Sequence, residues 1–207
     1  MGVRAATPDD LGDIARIHKA RFGTSDYILG QYSVSFINKF YASFLGQSVF
    51  LVHVSDRGVD GFVLGGERAK LRGAERAFLW KNIFRYGLET LLHPRLWPGA
   101  CRSAYKLCRS LTKKLVRQPG AELPRMLSIA VDEAAQGSGT AEALGTAFEA
   151  DIASRHAAYQ LSVLPNNRRA VRFYEKLGLT LVEDASPDHL TFQREFKPPG
   201  GSGRPEP

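Results

Sequence analysis

The sequence predicts a single α/β domain in which helices pack against a sheet. Short β-favouring apolar runs alternate with segments whose apolar residues recur at helical spacing. One run, Leu127 to Val131 (LSIAV), ends in the polar turn DEAA and a glycine-rich hexad, Gln136 to Ala141 (QGSGTA), that opens a helix. With 207 residues and 43% apolar content, the chain has the length of one domain and the side chains for a core.

In chain order, Val3 to Ala6 reads as a short strand. Thr7 then caps a helix with Pro8 at its first position and Asp9 and Asp10 in its first turn. Leu11, Ile14, Ile17 and His18 form its inward face. A second helix spans about Val34 to Leu45, where Phe36, Ile37, Phe40, Tyr41 and Phe44 recur at helical spacing. Val49 to Val54 and Val59 to Leu64 are strands joined by the hairpin turn Ser55-Asp56-Arg57-Gly58. Residues 75–92 suit a helix stopped by His93-Pro94, and another runs from about Gly99 to Arg117. After the LSIAV strand and its helix, Tyr159 to Leu164 alternates as a strand, and about Asn166 to Leu177 is a helix stopped by Gly178. Strands over Leu179 to Glu183 and Leu190 to Phe196 close the domain, and 198–207 reads as a disordered Pro/Gly-rich tail.

Charge is unevenly placed. The net is +7, but the block 66–125 alone carries 14 Lys/Arg against 4 Asp/Glu. Arg102, Lys106, Arg109, Lys113 and Arg117 share one stripe of the second helix there, opposite Cys101, Ala104, Cys108, Leu111 and Leu115. The stripe reads either as a solvated face or as a surface for anionic headgroups or a polyanionic substrate. Trp80, Phe84, Trp97 and Tyr105 in this block suit an interface or a core. No apolar run reaches membrane-spanning length. The N-terminus lacks an apolar signal segment, so the expected location is cytoplasmic, with contact at an anionic membrane surface through 72–118. Cys101 and Cys108 are expected to be buried thiols, and the five scattered histidines suggest no metal site.

The hexad is suited to anions, because a helix N-terminus has unpaired N–H groups and the positive end of the dipole. Gly137 and Gly139 would let a phosphate approach the backbone. Alone, the turn is equally a tight strand-to-helix connection. A second motif lies downstream at 163–178, VLPNNRRAVRFYEKLG. Together the two segments resemble the GNAT acyltransferase superfamily. Gln136, Gly139 and Ala141 fit its Gln/Arg-x-x-Gly-x-Gly/Ala turn, and Asn167, Ala170 and Tyr174 fit its Asn-x-x-Ala-x-x-x-Tyr segment. The resemblance covers about 3–65 and 126–196 and is most specific over 127–178.

The resemblance implies a central mixed twisted sheet flanked by helices, in one domain over 1–197; the basic helical block (66–125) then stands as an insertion between the third and fourth strands, where minimal members of the family have a short connection. It implies acetyl-CoA as acyl donor, a primary amine as acceptor, and no metal. The backbone N–H groups of Gln136, Gly137, Ser138, Gly139, Thr140 and Ala141 would cradle the pyrophosphate. Ile129 and Val131 would pair with the pantetheine arm, in a gap where the strand at 128–131 splays from that at 160–164. Asn167 would orient the cofactor or be an ordinary helix-start residue. Tyr174 would be the general acid or a half-buried core aromatic; a phenol with a pKa near 10 is protonated at neutral pH and can donate to the departing thiolate. Glu67 or Glu122 could face the cleft and act through water, but both read more readily as surface carboxylates, so the base is unassigned, and Ser128 is a poor base without a partner.

The expected acceptor is a small molecule, with nucleotide- or lipid-linked amino sugars as candidates. Rival readings are a protein, amino-acid or aminoacyl-tRNA acceptor, a longer acyl chain, and a non-catalytic acyl-CoA-binding, membrane-docking module. Nucleic acid is not the expected partner, and a homodimer is left open.

Overall fold

A computed structural model describes residues 2–23, 28–92, 122–182 and 189–196. The strands are β1 (Gly2–Ala5), β2 (Val49–Ser55), β3 (Gly58–Gly66), β4 (Arg125–Val131), β5 (Ala158–Val163), β6 (Thr180–Val182) and β7 (Leu190–Glu195). The helices are α1 (Leu11–Phe22), α2 (Ile28–Gln31), α3 (Val34–Ala42), α4 (Arg68–Leu92), α5 (Thr140–Ala153) and α6 (Arg168–Lys176). The seven strands form one sheet in the order β1-β2-β3-β4-β5-β7-β6. Every neighbouring pair is antiparallel except β4 with β5, which makes the sheet mixed, as expected.

The β2–β3 hairpin turns where the sequence places it, with Ser55 opposite Gly58. Its alternating apolar residues feed two cores. On one face Ile14, Ile17, Ile37, Tyr41 and Phe44 of the α1–α3 layer pack on Val52, Phe62 and Leu64. On the other, Leu144, Phe148 and Ile152 of α5 pack on Val63, Met126, Tyr159 and Leu161. The α5 helix sits unusually close to β3. A Cβ at Gly65 would lie 2.6 Å from the Phe148 ring and 2.5 Å from the Arg125 carbonyl oxygen, so a bare backbone is required there.

Local chemistry sets the element ends. Thr7 introduces a 3-10 turn, Pro8–Asp10, rather than the first turn of α1 itself. The buried Asp10 carboxylate accepts from Arg4 (2.6 and 2.8 Å) and from the Thr7 backbone N–H (2.8 Å) and hydroxyl (2.9 Å). Arg4 and the Thr7 donors hold the Asp10 carboxyl at about 2, well below its usual range. Ser33 caps α3 by accepting from the Phe36 N–H. Gly178 follows α6 with φ +80°, the left-handed stop that its sequence position implies.

The α4 helix begins at Arg68, not near residue 75. Its first turns are buried on a narrow face, Leu71 and Ala74 against the α1–α3 layer and Phe78 against Tyr32 and Phe36. At Asn82 the backbone leaves helical geometry (φ −119°, ψ 16°) while the Asn82 side chain donates to the Phe78 carbonyl at 2.9 Å. That competing donor accounts for the kink. The expected second insertion helix, its basic stripe, Cys101, Cys108, Trp97, Tyr105, the turn at 186–188 and the tail lie outside the described residues.

Candidate active site

The parallel pair β4–β5 is in register at Arg125 and Gln160, where the Gln160 N–H also donates to the Pro124 carbonyl at 2.9 Å. Towards their C-terminal ends the strands separate and open a wedge. Residues 127–131 of β4 form one wall of this wedge, and Ser162 and Val163 of β5 form the other. Parallel strands that part in this way leave main-chain donors and acceptors unpaired on their facing edges.

The turn after β4 closes the outer end. The Asp132 side chain accepts from the Ala134 N–H at 3.1 Å and is held by Arg16 at 2.5 Å. Residues 133–135 make a 3-10 turn, and Gly137 and Gly139 follow with φ +80° and +85°. Gly139 is the N-cap of α5. Two of the six N–H groups expected to cradle an anion are already engaged: Gln136 donates to Glu133 (3.2 Å) and Ser138 to Ala135 (3.4 Å). Gly137 and Gly139 have no backbone acceptor among the described residues, and Thr140 and Ala141 occupy the first turn of α5. The Thr140 side chain is buried against β3, with its hydroxyl 2.9 Å from Ser138 Oγ, so its contribution to an anion is its N–H alone.

A cavity of about 500 Å³ runs from this turn along the wedge. Ile129, Val131, Gln136, Gly137 and Ala141 line it, and so do Arg21, Arg169, Arg172 and Lys176. Against these four cations Glu142 is the one carboxylate of the lining among the described residues. Glu142 accepts from Lys176 at 3.2 Å, and Arg169 donates to Gln136 Oε1. The sequence reading missed these cations. For the three on α6 the signal was the RRAVR…K spacing, which puts Arg169, Arg172 and Lys176 at i, i+3 and i+7 along one face of the helix.

Farther in, a second cavity of about 240 Å³ adjoins the first. Ile129, Asn167, Ala170, Tyr174 and Phe22 line both. Tyr174 is buried and packs against Phe173 and Phe192, at the junction of the two spaces. Asn167 caps α6, its Oδ1 accepting from the Ala170 N–H at 3.2 Å, while also lining the cleft. The helix-start reading of Asn167 thus holds, on a residue that also borders the cleft. The inner walls are apolar, with Leu29, Phe40, Leu127 and Val163.

The candidate bases fall elsewhere. Glu67 pairs with Lys70 at 3.0 Å and borders a separate surface hollow, and Glu122 pairs with Arg72. Neither lines either part of the cleft. The fold instead brings His18, Tyr41 and Ser128 to the inner cavity. His18 Nδ1 is 2.7 Å from Tyr41 Oη, which donates to Ser128 Oγ at 3.3 Å. Nothing local in the sequence pairs residues so far apart in the chain. Among the described residues no cluster of metal-binding side chains occurs.

Residues 99–186 match the family described as FR47-like protein. No curated protein sequence matches the chain. Solved structures share its fold. An N-acetyltransferase from Staphylococcus aureus Mu50 aligns over 93% of this chain and 98% of its own, at 18% identity and TM-score 0.62. The ribosomal-protein-S18-alanine N-acetyltransferase from Escherichia coli aligns over 98% of each chain, at 13% identity and TM-score 0.56. Chaetomium thermophilum Naa20, solved with a bisubstrate analogue, aligns over 94% of this chain and 86% of its own, at 17% identity and TM-score 0.52.

Proposed function

We propose that the chain, by its fold and its FR47-like segment, is a member of the GNAT acyltransferase superfamily and that it transfers an acetyl group from acetyl-CoA directly to a primary amine of a small molecule. The observation that carries this reading is the wedge between β4 and β5: a strand edge along one side, a positive, left-handed turn at the outer end and a phenol at the inner one.

The residues fit the cofactor. The N–H groups of Gly137, Gly139, Thr140 and Ala141 at the start of α5 suit a pyrophosphate. Arg21, Arg169, Arg172 and Lys176 add the positive field that a multiply charged nucleotide needs. Ile129 and Val131 offer main-chain groups to an amide-bearing arm, as a strand edge does for a peptide. When bound, acetyl-CoA supplies an acetyl group activated as a thioester. Tyr174 holds a proton at the junction of the two cavities and gives it to the departing sulfur. Asn167 fixes the start of α6 and hence the position of Tyr174, seven residues on.

Amino sugars, including nucleotide- or lipid-linked ones, remain the acceptor class we favour, with the basic block as the surface that attracts their anionic part. The apolar inner cavity supports a second reading, an acyl group longer than acetyl, because Phe22, Leu29, Phe40 and Leu127 would bury its methylenes. A thiol-release assay against glucosamine, benzylamine, spermidine and an alanine-led peptide, run with acetyl-CoA and with octanoyl-CoA, tests both. Thiol release that requires an amine supports transfer. The same rate with and without every amine in the panel overturns it.

A further inference from the structure

The His18–Tyr41–Ser128 column has no role in the transfer as described so far. His18 is 5% exposed and Tyr41 fully buried, on two different helices, and the column ends at Ser128 on the wedge wall. His18 Nε2 is buried without a partner. Leaving such a nitrogen unpaired costs on the order of 1–3 kcal/mol. Leucine in place of His18 would fill the space beside Phe22 without that cost, so packing alone does not account for an imidazole here.

The chemistry leaves a vacancy that this column fits. An amine that attacks a thioester must shed a proton. Among the described residues no carboxylate lines the inner cavity, and His18 is its sole side chain whose ordinary pKa lies near neutrality. Burial, helped by Lys19, pushes the His18 imidazole down to about 4, so at neutral pH it is uncharged, with a lone pair on one ring nitrogen. Burial pushes the Tyr41 phenol well above its usual value, so it stays protonated and can only take one proton while giving another. A hydroxyl proton can rotate, and a neutral imidazole has two tautomers, so the column can be polarised in either direction.

We propose that Ser128, Tyr41 and His18 form a proton relay that deprotonates the acceptor amine, with Ser128 touching the substrate and the other two acting through it. The inference rests on the acyl-transfer reading above. The amine nitrogen bonds to the acyl carbon and the carbon–sulfur bond breaks, its electron pair leaving with sulfur. Sulfur takes the Tyr174 proton. The amine proton passes to Ser128 Oγ as the Ser128 proton moves to Tyr41 Oη and the Tyr41 proton to His18 Nδ1, with the ring's other proton on Nε2. His18 ends as imidazolium and Tyr174 as phenolate. Both line the same cavity, so the proton returns from one to the other through it once the products leave.

The test uses Ser128→Ala, Tyr41→Phe, their double variant and Ser128→Thr, assayed with acetyl-CoA and whichever of the four panel amines gives the highest rate. The first two substitutions delete only an oxygen, so the apolar packing survives, and thermal melting checks that it does. Each should lower kcat about 100-fold with KM for acetyl-CoA within about twofold, as expected for loss of base catalysis. The double variant should be no worse than the singles, because members of one relay fail together. Ser128→Thr, which keeps the hydroxyl, should stay within about fivefold of the parent chain. Parent turnover that survives Ser128→Ala within about twofold, or losses that multiply in the double variant, overturn the relay and leave the acyl-transfer reading standing. A parent chain that binds coenzyme A but acylates no amine overturns both.

Discussion

Arg125 of β4 stands opposite Gln160 of β5, the one position at which these parallel strands are in register before they part. From that point the edge of β4 facing β5 has no strand partner, although its other edge is paired with β3 through Ile129–Val63 and Val131–Gly61, with a register shift that skips Leu127. Hydrogen exchange should therefore divide β4 by edge. Amides between Leu127 and Val131 that face the wedge exchange fast in the free protein and gain protection of about tenfold or more when coenzyme A is added. Amides that face β3 change little. Uniform protection along β4 in the free chain would mean that the wedge is closed in solution.

Tyr174→Phe should reduce kcat about 100-fold while leaving KM for acetyl-CoA nearly unchanged, since only the proton donor is lost. Steady-state thiol release together with coenzyme A titration separates the two parameters. Full activity in the variant would take Tyr174 out of the chemistry and make it a packing residue beside Phe173 and Phe192.

Gly139→Ala should destabilise the fold by about 1–2 kcal/mol and weaken coenzyme A binding. Nothing lies within 4 Å of a Cβ built there, so the cost comes from φ +85° and not from crowding. Thermal melting reads the first effect and calorimetric titration the second. If the backbone relaxes to negative φ instead, stability recovers while affinity does not.

Arg169→Ala and Arg172→Ala should each weaken coenzyme A about tenfold at low ionic strength, and the difference from the parent chain should shrink as salt rises. Arg169 carries a second consequence, because it donates to Gln136 Oε1 and so ties α6 to the turn before α5. Its variant should also loosen that turn, which exchange rates at Gly137 and Gly139 would report.

Acid should destabilise the N-terminal edge of the sheet through Asp10. Its carboxyl sits at about 2 in the folded chain against an ordinary 3.8, held down first by Arg4 and opposed by burial. A folded pKa below the unfolded one gives stability that is complete above about pH 4 and lost as pH falls towards 2, worth on the order of 2 kcal/mol. Denaturant midpoints measured from pH 6 to pH 2 should show this loss, and Asp10→Asn should flatten that part of the curve while lowering stability at pH 6.

Elements governed by near neighbours were legible in the sequence. Ser55 to Gly58 announced the hairpin, the glycines of the hexad announced a strand-to-helix turn, and Asn167 and Gly178 bracketed α6. Tyr174 was legible through the resemblance alone, as the last position of the Asn-x-x-Ala-x-x-x-Tyr segment. Contacts between distant segments were not. His18, Tyr41 and Ser128 meet only because α1 and α3 lie on the same face of the sheet. Glu67 and Glu122, read as surface carboxylates that could reach the cleft, pair instead with Lys70 and Arg72 away from it. The start of α4 was read late because Leu71, Ala74 and Phe78 give it a seam too thin to stand out among its arginines and lysines.

The break at Asn82 has a practical consequence for engineering. Upstream, Leu71, Ala74 and Phe78 are anchored in the interior, so a truncation starting at residue 72 would tear out part of the core along with the basic block. At Asn82 the helical ladder is already interrupted and the Phe78 carbonyl already has a side-chain donor. A chimera that exchanges sequence beyond this joint inherits a finished helix end, which makes residue 82 the natural splice point for swapping one protein's insertion into another.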